Sequence, residues 1–542
     1  MRVCAALLCL GLAARAAFAA EDQATKLLEG MGSHRRDVGT SAQAQRFFDQ
    51  GLVLAYGFNH AAAEQAFREA ARLDPSCAMC VWGVALVLGP HINAAMEASA
   101  VSPAWEASQE ARRLAKNAKP ADRALIEALT KRYSPMPGAE RAKLDPAYAD
   151  AMRQVAKRYP DDADVQTLTA EALMDVHPWD LWEKSGPAKP WTGEILTLLE
   201  RAMSLDPQHP GANHFYIHAV EASKEPQRAM ASADRLRDLV PGAGHLVHMP
   251  AHVFIRTGRY WDAVLANRRA IDADRKSAAI SCHGSLYALG YVPHNVHFLW
   301  ASAAFAGAGG VAVDAARQTA AGVDLTKLRE PGLGVLQHYW VTPMYAYVRF
   351  GHWEEILALP EPEADLVYPR AIWRWSRGVA QVRQGELDAA AAELAALTTL
   401  AGDPGLAKVT IFDLYDTTGL VAIAREHRAG ELAFARGERE AALVHLQKAI
   451  SLEDALRYDE PPPWPLPTRQ VFGAMLLEMD RPAEAEAVYR ADLEIYPENG
   501  WSLRGLSRAL AAQKKSAEAA EAEARFQRAW TKGDFELETS RL

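Results

Sequence analysis

Small, aromatic and proline positions recur along this 542-residue chain at a spacing of 34 residues. In a unit counted from Ala44, Phe47, Gly51, Ala63, Phe67, Ala70 and Pro75 fall at positions 4, 8, 20, 24, 27 and 32. Gly473, Ala485, Tyr489 and Pro497 take positions 8, 20, 24 and 32 of a unit from Leu466, and Trp501, Gly505, Ala517 and Ala524 take 4, 8, 20 and 27 of the next, from Glu498. Small residues at 8 and 20 let two helices approach closely, and proline at 32 stops the second helix. The pattern predicts a run of helical hairpins. In the middle, units start at Pro210, Gly244, Pro293 and Gln337, and the spacings of 34, 49 and 44 residues imply inserted segments around 277–292 and 326–336. Gly307 to Gly310 reads as the turn between two helices of one unit, and Trp182–Trp191 and Pro461–Pro465 are stiff breaks.

This pattern resembles the tetratricopeptide repeat. The resemblance implies an all-α, right-handed superhelical solenoid of helical hairpins with inserted loops, and its usual meaning is protein or peptide binding. The phrases running from Gly211 to His218, Pro241 to His252 and Pro293 to Phe298 resemble a histidine-bearing branch of exported bacterial tetratricopeptide proteins. A chain this long exceeds one compact core, and its even spread of Ala, Leu, Glu and Arg agrees with a repeat architecture. The expected division is a signal peptide over 1–19, N-terminal repeats over 20–160, central repeats carrying the histidines over 161–360, and C-terminal repeats over 361–542.

Charge and cysteine usage narrow the function classes. A net charge of -9, with no basic face interleaved with aromatics, argues against nucleic acid. Arg2, the apolar stretch Val3 to Leu12 and the small-x-small site Ala17-Phe18-Ala19 read as a cleavable targeting segment, so a periplasmic or secreted protein is expected. No other run is long and apolar enough for a membrane span. Removing the signal leaves Cys77, Cys80 and Cys282. Cys77 and Cys80 suit a local disulfide or two buried thiols, with a metal or redox role as the alternative; no histidine follows Cys80, which excludes c-type haem attachment.

Ten of the 17 histidines lie between His177 and His297. They come as His214, His218 and Glu221, then His245, His248 and His252, then His294 and His297, with His338 beyond. Spacings of three, four and seven keep each set on one stripe of a helix. In the repeat family that the chain resembles, positions 2, 5, 9 and 12 of the first helix line the concave groove. By the unit starts above, these residues take those positions, so one inward-facing cluster is expected from neighbouring hairpins.

Imidazole suits Zn, Cu, Fe and Ni, and two histidines with a carboxylate form an open-site ligand set. His214, His218, Glu221, His245, His248, His252, His294 and His297 are therefore candidate metal ligands, with His338 and His91 as additional groove residues. The leading reading is an exported solenoid that binds a transition metal (Zn, Cu or Fe) for metal binding or delivery. Two alternatives stay open: a metal-dependent hydrolase or oxidoreductase with a small-molecule substrate in the groove, and a metal-free scaffold whose histidines contact a peptide. His34, His60, His352, His427 and His445 read as surface or packing residues, and His283 as a loop residue able to fold over the groove. No catalytic triad, phosphate-cradling glycine loop or paired zinc ribbon is present in the sequence.

Overall fold

In a computed structural model, residues 25–542 are described except 137, 139, 278–284 and 413. The targeting segment 1–19, Cys282 and His283 lie outside the described residues. The architecture is an all-α stack of helical hairpins; the described strands are two antiparallel pieces of two residues each, Thr410–Ile411 and Tyr415–Asp416. Five of the seven expected units are hairpins of two helices, whereas the Gly244 and Gln337 units each open with two short helices, Gly244–His248 and Pro250–Arg256 in one and Val335–Trp340 and Thr342–Phe350 in the other. Ala42–Tyr56 pairs with His60–Leu73, Pro210–Glu221 with Met230–Leu239, Val292–Phe305 with Gly309–Ala321, Thr468–Glu478 with Pro482–Ile495, and Gly500–Ala512 with Ser516–Ala529. No described helix is long and apolar enough to cross a membrane.

The glycines of the pattern have a steric cause. A Cβ on Gly51 would come 2.8 Å from the ring of Phe67, and Gly83 of the next hairpin crowds the same ring. Gly473 and Gly505 flank Tyr489 in the same way. Helix starts follow local chemistry: the Ser41 and Asn59 side chains accept from the free N–H groups of Ala44 and Ala62, and Pro210, Pro250 and Pro482 occupy first-turn positions where no donor is needed. Gly307, at φ 74°, makes the turn between Val292–Phe305 and Gly309–Ala321. Cys77 and Cys80 form a disulfide at the start of the Ala78–Val87 helix.

Two features position the site. The Gly244 unit opens with two short helices, Gly244–His248 and Pro250–Arg256, which meet at Met249-Pro250 and together carry three histidines. The superhelix also returns on itself. Tyr260 donates to the Pro497 carbonyl, Trp501 to the Ala304 carbonyl, and the backbone N–H groups of Gly309 and Gly310 donate to the Asp534 carboxylate. Chain next to the two stiff breaks meets across this wrap, where Lys184 donates to the Leu456 carbonyl and Arg457 to the carbonyls of Pro178 and Trp179. The histidine-bearing helices are therefore roofed by chain from more than 200 residues away.

Candidate metal centre

The helix Pro210–Glu221 turns His214, His218 and Glu221 to one side, and its neighbours bring His245, His248 and His252 against them. Ring centroids of His214 and His245 are 4.9 Å apart, those of His218 and His252 5.5 Å, and those of His248 and His294 4.9 Å. Histidines from three successive hairpins thus form one continuous run. His214, His248 and Glu221 are 0 % exposed and His245, His252 and His218 at most 4 %, so they form an interior cluster and not the wall of an open groove. His294 is partly buried.

Within the run, one nitrogen each from His214, His218 and His245 lies within 4.8 Å of the other two. Nδ1 of His214 is 2.5 Å from the carbonyl of Tyr56, and Nδ1 of His218 is 2.9 Å from Oε1 of Glu221. Both acceptors lack hydrogens, so each Nδ1 carries the proton and each Nε2 presents a lone pair. Those two Nε2 atoms are buried without a hydrogen-bond partner, and neither ring nitrogen of His245 has one. Leaving such groups unmatched costs about 1–3 kcal/mol each. A water has only two hydrogens to offer three converging acceptors, whereas one metal ion takes all three lone pairs. A backbone carbonyl and a carboxylate behind the ligand rings is also the outer-shell arrangement that orients metal-bound histidine.

A second group of three is His248, His252 and His294. Nδ1 of His248 is 2.7 Å from Oδ1 of Asn267, Nδ1 of His252 is 3.0 Å from Oε2 of Glu460, and the two Nε2 atoms are 2.9 Å apart. Glu221 does not complete a set with His214 and His218. Its oxygens face Nδ1 of His218 and Nδ1 of His252, and it groups instead with His252 and Glu460. His297 and His338 stand edge to face at 5.4 Å, with His338 Nδ1 on the Tyr368 hydroxyl, and join no group of three donors among the described residues. His91 stacks on Phe58 at 4.7 Å, and Phe58 packs against His214, His218 and His245 in turn, so His91 is part of the apolar lining.

Electrostatics keep most of the run neutral. Burial, reinforced by neighbouring imidazoles, holds His214, His245, His248 and His294 well below the ordinary histidine range. Burial also lowers His218, against the pull of Glu221. His252 is the exception: burial would lower it, but the Glu221 and Glu460 carboxylates overcome that and lift it to about 10. Glu460 also accepts from the Tyr458 hydroxyl at 2.5 Å and lies 3.7 Å from Arg256, whose guanidinium binds the carbonyls of Glu221 and Ser223.

Several of these partners were not legible as site residues. Glu460 precedes the Pro461–Pro463 break and reaches His252 across 208 residues of sequence. Asn267 did carry a signal, because it takes position 24 of the Gly244 unit, where Phe67 and Tyr489 stand in the regular units. His34 is not an isolated packing residue: with His209 it flanks Asp164, which also accepts from Tyr56 and Arg36. That network is saturated and pins the N-terminal segment to the stack.

A small cavity of about 50 Å³ touches His218, His245, His252, His294 and Glu460. Beside it lies a chamber of about 1000 Å³ walled by the two stiff breaks, and His218, Trp179, Asp459 and Glu460 border both spaces.

No family model matches the chain, and no curated protein matches it. Among solved structures, the chain is similar to the Cut9–Hcn1 hetero-tetramer of the APC/C, at 13 % identity and a TM-score of 0.33 over 92 % of this chain and 79 % of that one. It is also similar to the human IFIT1 dimer with m7Gppp-AAAA, at 12 % identity and 0.32 over 91 % of each chain, and to yeast Tom70, at 11 % identity and 0.26 over 89 % of this chain and 92 % of that one. Likenesses of this size carry no argument about the site, and the solenoid architecture rests on the hairpins themselves.

Proposed function

We propose that the protein is an exported helical solenoid that binds a first-row transition metal through His214, His218 and His245, for metal binding or delivery. The observations that carry this reading are three buried histidines that each bring one nitrogen within 4.8 Å of the other two, and unpartnered nitrogens on all three rings, two of these rings with the proton held at Nδ1. Three neutral imidazoles suit zinc, copper or iron, and they bind without first having to shed protons. Enclosure of the ligands favours this reading over a metal-free groove, because a peptide lying in an open groove would not touch rings this buried. The test is elemental analysis of protein purified without an affinity tag or chelator, followed by uptake of Zn, Cu or Fe by stripped protein. Absence of metal and of tight uptake would leave the peptide scaffold.

One observation supports a catalytic version. Three protein ligands leave a coordination position for water or substrate, and His218 borders the chamber of about 1000 Å³. The protein would then be a hydrolase or oxidoreductase. A turnover lost on stripping the metal and restored by returning it would establish that version, and equal turnover in stripped and loaded protein would end it.

A further inference from the structure

The three histidines His248, His252 and His294 contain a contact that needs a cation between two of the rings. Nδ2 of Asn267 donates to the Ala263 carbonyl at 2.8 Å, which leaves its Oδ1 facing Nδ1 of His248. That nitrogen therefore carries a hydrogen. Nδ1 of His252 faces carboxylate oxygens of Glu460 and Glu221, which only accept, so it carries one as well. In neutral rings both Nε2 atoms then present lone pairs, yet they are 2.9 Å apart inside the protein. Two lone pairs at that distance repel unless a cation lies between them. Without metal a proton fills that place: the Glu221 and Glu460 carboxylates keep His252 charged, and its Nε2–H donates to Nε2 of His248, with no share for His294. One nitrogen of His294 lies within 4.8 Å of a nitrogen of each of the other two rings, and a metal ion is what uses all three.

We infer that His248, His252 and His294 form a second site for a divalent transition metal, beside the one proposed above. It extends that reading but uses different ligand atoms, so each can fail alone. The sites are tied at two points. Glu221 faces Nδ1 of His218 in the first group and of His252 in the second. The small cavity is lined by His218 and His245 from one group and by His252 and His294 from the other. A cavity of about 50 Å³ holds a water-sized ligand, so both ions would address the same water-sized molecule.

The experiment titrates stripped, untagged, full-length protein with Co²⁺, followed by visible absorption, and measures bound Zn²⁺ by mass spectrometry after dialysis. Wild type, His294→Ala and His245→Ala are compared, with circular dichroism as the control for folding; His294→Gln replaces the alanine variant if that variant does not fold. Two equivalents in wild type and one in each variant is the expected result. One equivalent in wild type that survives His294→Ala and is lost in His245→Ala overturns the second site and leaves the first. One that survives His245→Ala and is lost in His294→Ala does the reverse. A single equivalent lost in both variants overturns two separate sites, and no binding overturns both proposals.

Discussion

The carboxylate of Glu221 serves two histidines from two different hairpins: its Oε1 is 2.9 Å from Nδ1 of His218, and its Oε2 is 2.8 Å from Nδ1 of His252. Burial would push this carboxylate up, but His252 and His218 reverse that and hold it down to about 2, so it is a fixed negative charge within the buried histidine run. Replacing Glu221 with Gln keeps the shape and removes the charge. Outer-shell carboxylates of this kind typically contribute about 10–100-fold in metal affinity. Glu221→Gln should weaken metal binding by that order, measured by competition with a chromophoric chelator; unchanged affinity would show that the carboxylate does not orient ligands.

Glu460 and Asn267 act on one group only. Glu460→Gln and Asn267→Leu should each weaken retention at His248, His252 and His294 while leaving the His214, His218 and His245 group loaded. Stoichiometry after dialysis at graded chelator concentration separates the two, and equal loss from both groups would refute the division.

His218→Ala combined with His248→Ala removes one ligand from each group. Metal retention should disappear while helical circular dichroism stays close to wild type. A collapse of the helical signal would mean that these rings act as packing.

Stability of the stripped protein should fall on both sides of neutrality. His214, His245, His248 and His294 are lowered by burial from the ordinary 6.5, so below that pH the unfolded chain binds more protons and stability drops as the medium becomes more acid. His252 is raised to about 10, so its contribution is complete below pH 6.5 and fades as pH rises from there through about 10. Urea midpoints across this range should form a dome, and His252→Gln should flatten its alkaline side. An alkaline slope that persists in His252→Gln would assign it to another group.

Gly51→Ala places a methyl 2.8 Å from the Phe67 ring, which Gly83 confines on its other face. With no room to shift, the change should cost about 1–3 kcal/mol. Thermal denaturation should show a lower midpoint with metal stoichiometry unchanged, because Phe67 lies outside the histidine run.

Much of this was written in the chain itself. Hairpin positions follow from a 34-residue spacing of small, aromatic and proline residues, because each hairpin is a local object whose helices meet through side chains a few turns apart. The convergence of His214 and His218 with His245, and of His248 and His252 with His294, follows from the same registers.

What the tertiary structure decided is which atoms face which. Glu221 looks like a ligand beside two histidines on one helix, yet the side chain turns to the Nδ1 nitrogens, and His245 from the next hairpin takes the third place. His297 and His338 share the stripe but face each other. Glu460 arrives from a proline-rich break, and the expected open groove is roofed, because the solenoid coils tightly enough for its C-terminal units to pack on its central ones. Helical periodicity fixes a side chain's direction within its own hairpin; the partner it meets across 200 residues depends on small rotations accumulated over every hairpin between, and no local pattern encodes that sum.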